Sequence, residues 1–403
     1  MKYAVILGDG MADTPVPELG GKTPLEAANK PNIDKLARYG ELGMVKTVPD
    51  HLNPPGSDIA NMSVMGYNPD IFYTGRSPLE AVSMGITMSE TDLALRCNVV
   101  TLSDEANYED KSMVDYSAGE ISTPEARELI NYMQEVFGNE IMHLYPGVSY
   151  RHCLIMNKPE TPDMKFTPPH DISGKPIKEH LPKGADADIL LDMMKKSYDL
   201  LMAHPVNRAR IAAGKNPANS LWFWGEGRKP GLADFKEVNG LNGCVVSAVD
   251  LVKGLGLCAG MEVPDVPNVT GTIDTNFEGK RDAAIDFLQK GGDFVYIHME
   301  APDECGHHGD IEGKVKSIEL IDEKVVGPLV EALGKMGDYR ILVMPDHPTP
   351  IAVKTHTHNP IPYLIYDSAK KAEEKDRRYT EKDAETTGIY IDPGYTLMKK
   401  FLG

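Results

Sequence analysis

Cysteine is scarce and unpaired in this sequence. Cys97, Cys153, Cys244, Cys258 and Cys305 are odd in number and widely spaced, with no CxxC among them. That excludes a disulfide framework and a structural zinc knuckle, and points to buried, reduced thiols in a cytoplasmic protein. Basic residues are outnumbered, 42 Lys and Arg against 60 Asp and Glu, for a formal charge of −18. A nucleic-acid partner calls for a basic face and an anionic membrane surface attracts one, so neither partner is expected. Long apolar runs are missing too. The first, in "MKYAVILGDGMAD", stops after five residues at Gly8, and no other stretch approaches the ~18 needed to cross a bilayer. There is no GxxxxGK[ST] loop, so an ATP-using enzyme would have to bind nucleotide by an unfamiliar route. No internal repeat and no long low-complexity tract is visible.

At 403 residues, 41% of them hydrophobic, the chain can bury more than one domain's core, and two domains are expected. "YAVIL" at 3–7, broken at once by "GDG", reads as a buried parallel strand ending in a functional loop. "DFVYIHMEAPDE" (293–304), "YRILVMPDH" (339–347) and "PYLIYDS" (362–368) repeat that grammar, and ligands gather outside the carboxyl ends of such strands. Between the first two, Val315, Ile318, Ile321, Val325, Leu329 and Leu333 recur at helical spacing, which predicts an amphipathic crossover helix. "CVVSAVDLVKGLG" again reads as strand, helix and Gly stop. The middle is different: Pro- and Gly-rich punctuation ("KPETPDMKFTPPHDISGKPI", "GKNPANSLWFWGEGRKPG") predicts a second domain at 76–242, inserted into a first built from 1–75 and 243–403. The charged run 368–385 reads as a solvated surface segment.

Candidate chemistry sits at the strand ends. In "APDECGHHGD", Asp303 and His307 stand four apart, on one side of a helical turn, and a carboxylate with an imidazole suits Mn²⁺, Zn²⁺ or Fe²⁺. Asp346 and His347 follow "RILVM", where the alternative is a turn that Asp346 stabilises. "KTHTHNPIP" offers His356 and His358 on opposite sides of an extended segment, so only one readily reaches a given metal. Asp9 ends the first strand. One parallel sheet would bring these groups side by side, and their number suits two ions about 4 Å apart that clamp the oxygens of a phosphoryl transfer. Ser63 in "GSDIANMSVMGYNP" reads either as a helix-start residue or as a nucleophile activated by a metal.

This ordered set, Asp9, a serine opening a helix, "DECGHHGD", "DH" and "HTHNPIP", resembles the alkaline phosphatase superfamily. Within it the match is to the cofactor-independent phosphoglycerate mutases of the short archaeal type, over nearly the whole chain. The resemblance implies an α/β fold, a mostly parallel sheet flanked by helices, with the inserted middle as a smaller α+β lid that orients substrate. It implies two divalent ions, Mn²⁺ foremost with Zn²⁺, Mg²⁺ or Co²⁺ as alternatives, and no 2,3-bisphosphoglycerate. One ion would be held by Asp9, Ser63, Asp346 and His347, the other by Asp303, His307 and His356, with Ser63 as the nucleophile. It implies 3-phosphoglycerate as the small phosphorylated substrate, interconverted with 2-phosphoglycerate; the ordinary apolar composition makes a monomer the default. Arg151 and Lys253 lie in segments similar to the family's and are expected to act on substrate, with Arg76, Arg96, Arg208, Arg210, His170 and Asp171 as further anion-handling candidates. Tyr116 and Glu120 stand where the archaeal mutases tend to carry arginines. A metal-dependent phosphatase and a branch proposed to act as a homoserine kinase share the scaffold and are the alternatives.

Overall fold

The computed structural model describes residues 1–157, 164–185 and 187–403. They divide into two compact units, unit 1 from Met1–Tyr73 with Gly231–Gly403 and unit 2 from Thr74–Pro230. Residues 231–242, grouped with the insertion by composition, fold with unit 1: the ring of Phe235 packs 4.6 Å from that of Phe294. Part of the Pro-rich punctuation, at 158–163, lies outside the described residues.

Unit 1 opens with β1 (Lys2–Gly8) and β2 (Glu41–Val45). Unit 2 supplies β3 (Asp92–Leu102), β4 (Met113–Asp115), β5 (Met142–Tyr145) and β6 (Arg151–Asn157), then β7 (Met164–Lys165), β8 (Lys183–Gly184) and β9 (Ser220–Arg228). The return through unit 1 adds β10 (Gly243–Val246), β11 (Phe294–Met299), β12 (Tyr339–Met344), β13 (Ile361–Asp367) and β14 (Tyr390–Ile391).

The unit 1 sheet runs β10-β11-β1-β12-β13-β2-β14, with β10, β11, β1 and β12 mutually parallel. Ala4, Ile6, Val295, Ile297, Ile341 and Val343 face one core cluster, while the alternate residues Val5, Leu7, Tyr296 and Leu342 are also buried. Helices therefore cover both faces, which is why these strands read as unbroken apolar runs. The crossover from β11 to β12 is helical as the periodicity predicts, but it winds through a π-helical stretch, Ile321–Val326, between helices Ile311–Leu320 and Gly327–Met336. Asp322 in that stretch accepts the amides of Asn32 and Ile33, capping the helix Pro31–Tyr39 from outside.

β13 departs from the expected grammar because it pairs antiparallel to β12. The polar residues after it therefore lie at the far end of the sheet, and the segment before it, carrying His356, serves the ligand end. Unit 2 is α+β. Its antiparallel sheet β4-β3-β6-β5, with β9 against β3, shares a core with helices Thr123–Phe137 and Ala187–Ala203 through Leu129, Met133, Leu190, Met194, Trp222 and Phe223. Cys97, Cys153, Cys244 and Cys305 are buried free thiols, and no helix among the described residues is long and apolar enough to cross a membrane.

The charged run 368–385 is not wholly solvated. Arg378 pairs with Asp34 at 2.8 Å, and the buried Tyr379 donates to the Pro362 carbonyl. The Glu381 carboxylate accepts from the Asp13 amide and the Thr23 hydroxyl, and burial pushes its pKa up to about 7. A carboxyl raised in the folded state stabilises fully below its unfolded value near 4.5 and loses that contribution as pH climbs through 7. The melting temperature of Glu381→Gln should accordingly fall less between pH 5 and 8 than the parent's; parallel curves would show that Glu381 does not titrate in that window.

Candidate active site

The strand order brings four segments together at the carboxyl end of the parallel strands. Asp9 leaves β1, Asp346 and His347 leave β12, and Asp303 and His307 lie on the helix Ala301–His308 that follows β11. Gly10, at φ +62°, lets the first loop pass close: a Cβ there would stand 2.6 Å from Asp303 Oδ1 and 2.5 Å from Thr349 Oγ1. Its amide donates to Asp346 Oδ1 at 3.2 Å. His356 arrives on the loop before β13, its Nε2 3.0 Å from His307 Nε2 and 3.4 Å from Asp303 Oδ1.

Backbone carbonyls orient two of these imidazoles. A carbonyl only accepts, so His307 Nδ1–H must donate to Lys354 O and His356 Nδ1–H to Pro55 O. Both Nε2 atoms therefore face the cluster, where a metal would displace the proton that each shares with Asp303. The Thr349 hydroxyl donates to Asp303 and so accepts from His347 Nδ1–H, which turns His347 Nε2 inward as well. Such outer hydrogen bonds are what fix a metal-binding histidine's tautomer. His347 Nε2 lies 3.4 Å from Asp9 Oδ1 and 3.3 Å from Asp346 Oδ2, and its ring stacks on His356 at 3.8 Å.

The electrostatics call for a cation. Burial, then the neighbouring Asp346 and Asp303 carboxylates, raise the Asp9 pKa well above the usual range. Asp9 Oδ1 is buried and accepts no hydrogen bond among the described residues. Burial also opposes ionisation of Asp303, but hydrogen bonds from His307 and His356 outweigh it and hold that carboxyl well below its ordinary value. The same bond to Asp303 lifts His307 to about 9. Uncompensated buried carboxylates cost several kcal/mol each, roughly, and mixed carboxylate and imidazole donors suit a divalent metal. Ligand atoms of Asp303, His347 and His356 lie within 4.8 Å of one another, as do those of Asp9, His298 and Asp346. The residues present fit such an ion. His298 carries no signal in the motif spacing and was not anticipated.

Ser63 is not at this cluster. It occupies the last turn of the helix Ser57–Val64, is 1% exposed and spends its proton on the Thr47 carbonyl at 2.6 Å. The serine that opens the helix is Ser57, half-buried, with Oγ 3.0 Å from His347 Nε2. The break "NPPG" before it was the available signal, since a helix that starts after Gly56 puts Ser57 in its first turn. Asn61, one turn on, donates to Asp346 Oδ2 at 2.8 Å and accepts from Tyr296. His308 is exposed, His358 contacts the Leu52 carbonyl, and Asp310 caps the next helix.

A family model described as 2,3-bisphosphoglycerate-independent phosphoglycerate mutase matches residues 37–207. A probable 2,3-bisphosphoglycerate-independent phosphoglycerate mutase of Geobacter sulfurreducens is 50% identical, covering all of both chains. A Methanothrix thermoacetophila protein named for the same mutase is 51% identical over 91% of each. The chain belongs to this mutase family. A solved cofactor-independent phosphoglycerate mutase from Thermoplasma acidophilum superposes with a TM-score of 0.69 at 26% identity, covering 100% of this chain and 99% of that one. A Pyrococcus horikoshii structure reaches 0.81 at 30% identity, covering 100% and 96%.

The mutase family's substrates are anions, and unit 2 has a cavity of about 390 Å³ lined by Arg76, Arg96, Tyr116, Arg151, His170 and Trp224 among others. Arg151 lies over the Tyr150 ring at 4.4 Å and has no carboxylate partner among the described residues. Arg96 stacks on Trp224 at 4.5 Å but is held by both oxygens of Glu80. Three candidates of unit 2 fall outside this lining. Arg210 is buried, tying Glu125 to the Ala118 and Asn216 carbonyls; Arg208 is exposed on the helix Pro205–Ala212; Asp171 points to solvent beside His170. Lys253 belongs to unit 1, in the first turns of the helix Asp250–Cys258 beyond β10, 3.9 Å from Asp250.

Proposed function

We propose that the chain interconverts 3-phosphoglycerate and 2-phosphoglycerate without 2,3-bisphosphoglycerate, through a phosphoryl group carried on Ser57. The observation that carries this reading is Ser57 Oγ at 3.0 Å from His347 Nε2, on the first residue of a helix and beside a set of buried carboxylates and imidazoles. A helix N-terminus presents free amides and positive potential, where a phosphoryl group is best received. Asp9, Asp346 and His347 would hold one divalent ion with Ser57, and Asp303, His307 and His356 a second. Mn²⁺ suits these donors, with Zn²⁺, Mg²⁺ or Co²⁺ as alternatives. Such ions supply a lowered serine pKa and neutralise charge on the phosphoryl oxygens.

The protein's own groups do the rest. Ser57 takes the phosphoryl group and returns it to the other hydroxyl of the retained glycerate. Asn61 and the Gly10 amide steady Asp346. Unit 2 acts as the substrate-orienting domain, with Arg151, which has no carboxylate partner among the described residues, as the principal anion-binding side chain beside His170, Arg96 and Arg76. Lys253 is assigned to the substrate as well. Retaining the glycerate is what separates a mutase from a phosphatase, and it requires exclusion of water. The buried thiols of Cys97, Cys153, Cys244 and Cys305 support a cytoplasmic enzyme, taken as a monomer.

Protein loaded with Mn²⁺ and given 3-phosphoglycerate should form 2-phosphoglycerate, read by coupling to enolase. Release of free phosphate without isomer would replace the mutase with a phosphatase, and phosphohomoserine formed from ATP and homoserine would replace it with a kinase.

A further inference from the structure

Four histidines surround the candidate metal centre, and one is wired the other way round. His307, His347 and His356 each commit Nδ1–H outward and turn Nε2 into the cluster. His298, fully buried on β11, has Nε2 2.9 Å from Asp9 Oδ2 and Nδ1 3.2 Å from Ser247 Oγ. The Ser247 hydroxyl already accepts the Val249 amide at 3.0 Å, and its proton has no acceptor other than His298 Nδ1 among the described residues. Nδ1 is therefore the acceptor, Nε2 carries the proton, and that proton points at the Asp9 carboxylate. A nitrogen bearing a proton has no lone pair to give a metal.

From this we infer that His298 is a positioning residue: a neutral imidazole, locked by Ser247, that donates to Asp9 Oδ2 and aims the unpartnered Oδ1 at the metal. The inference rests on the reading of this cluster as a metal centre. The sheet builds the relay directly. Ser247 follows β10, His298 lies in β11 and Asp9 follows β1, three neighbouring strands in register with Val246 opposite Ile297 and His298 opposite Leu7. The buried Lys280 fixes the same point of β11 from the other side by donating to the His298 carbonyl at 3.1 Å. Outer hydrogen bonds of this kind hold a ligand in its binding orientation, and losing one typically weakens metal affinity about 10–100-fold.

The test uses the full chain and Mn²⁺, with free ion counted by its electron paramagnetic resonance signal. Titration of the parent, His298→Ala, His298→Gln, Ser247→Ala and Ser247→Thr should show one ion bound about 10–100-fold more weakly in His298→Ala. Affinity should stay close to the parent's in His298→Gln, whose amide still donates to Asp9. Ser247→Ala should weaken binding in the same direction and Ser247→Thr restore it. Histidine ¹⁵N spectra of the parent, without metal and with diamagnetic Zn²⁺ in place of Mn²⁺, should show His298 protonated at Nε2 in both states, while His307 and His356 lack an Nε2 proton once the ion is bound. Loss of that proton when Zn²⁺ binds, or equal losses of Mn²⁺ affinity in His298→Gln and His298→Ala, would make His298 a ligand and overturn the inference. Unchanged affinity in His298→Ala would also overturn it. If His298→Ala fails to fold, Ser247→Ala, which removes a single hydroxyl, decides by the same criteria. A parent that binds no Mn²⁺ would overturn the metal reading itself, and this inference with it.

Discussion

Ser57→Ala should reduce mutase turnover to background while leaving Mn²⁺ bound, and Ser63→Ala should leave turnover near the parent's. The two serines share one short helix but meet different surroundings. Ser57 is half-buried with its oxygen 3.0 Å from His347 Nε2, whereas Ser63 is 1% exposed with its only proton donated to the Thr47 carbonyl. A phosphoryl donor would have to displace packed core to reach Ser63. Removing a nucleophile from an assembled site costs on the order of 10⁶-fold in kcat. Removing the Ser63 hydroxyl forfeits one hydrogen bond and leaves one carbonyl unpaired, about 1–3 kcal/mol of stability. Trapping the intermediate with labelled substrate, followed by peptide mapping, should place phosphate on the peptide containing Ser57, at that residue. Activity retained in Ser57→Ala, or label on Ser63, would reverse the assignment.

The choice between these two serines marks where legibility ended. The parallel strands were readable because both faces of β1, β11 and β12 are buried, which leaves no polar alternation to confuse the pattern. The gathering of Asp9, Asp303, His307, Asp346, His347 and His356 was readable because each sits just past a strand or ahead of one, where a charged group is hard to place in a core. The serine was harder. Ser57 and Ser63 belong to the same fourteen residues, and choosing between them requires the helix start, the least reliable part of any pattern-based reading. β2, whose five residues include a glycine, went unread, as did the antiparallel sense of β13; no local pattern encodes strand direction. The arginines of unit 2 illustrate a further limit. Arg151, Arg96 and Arg210 look alike in sequence, and only the fold shows that one lies on the Tyr150 ring with no carboxylate partner among the described residues, one is held by Glu80 and one is buried on carbonyls. His298 and Ser247 were invisible because their meaning lies in a relay across three strands that are far apart in the chain.

Lys314→Met should be the most destabilising single change outside the candidate metal centre. Lys314 was read only as part of an amphipathic helix, yet its ammonium is fully buried and 2.7 Å from Asp13 Oδ2, whose side chain is equally buried. It also donates to the Ala12 and Thr349 carbonyls, while Asp13 accepts the amides of Thr14 and Ile351. This pair thus ties the loop after β1, which carries Asp9, to the loop after β12, which carries His347. Breaking a buried ion pair from one side leaves an uncompensated charge and costs about 3–5 kcal/mol. An apolar double replacement at 13 and 314 should cost less than the two single changes summed, because the stranded charge is gone, but should not return to the parent's stability, because two carbonyls and two amides lose their partners. Urea unfolding with metal chelated measures all four proteins. A loss within about 1 kcal/mol for Lys314→Met, the scale of an exposed pair, would mean the interior relaxes around the gap and that the two loops are held by other contacts.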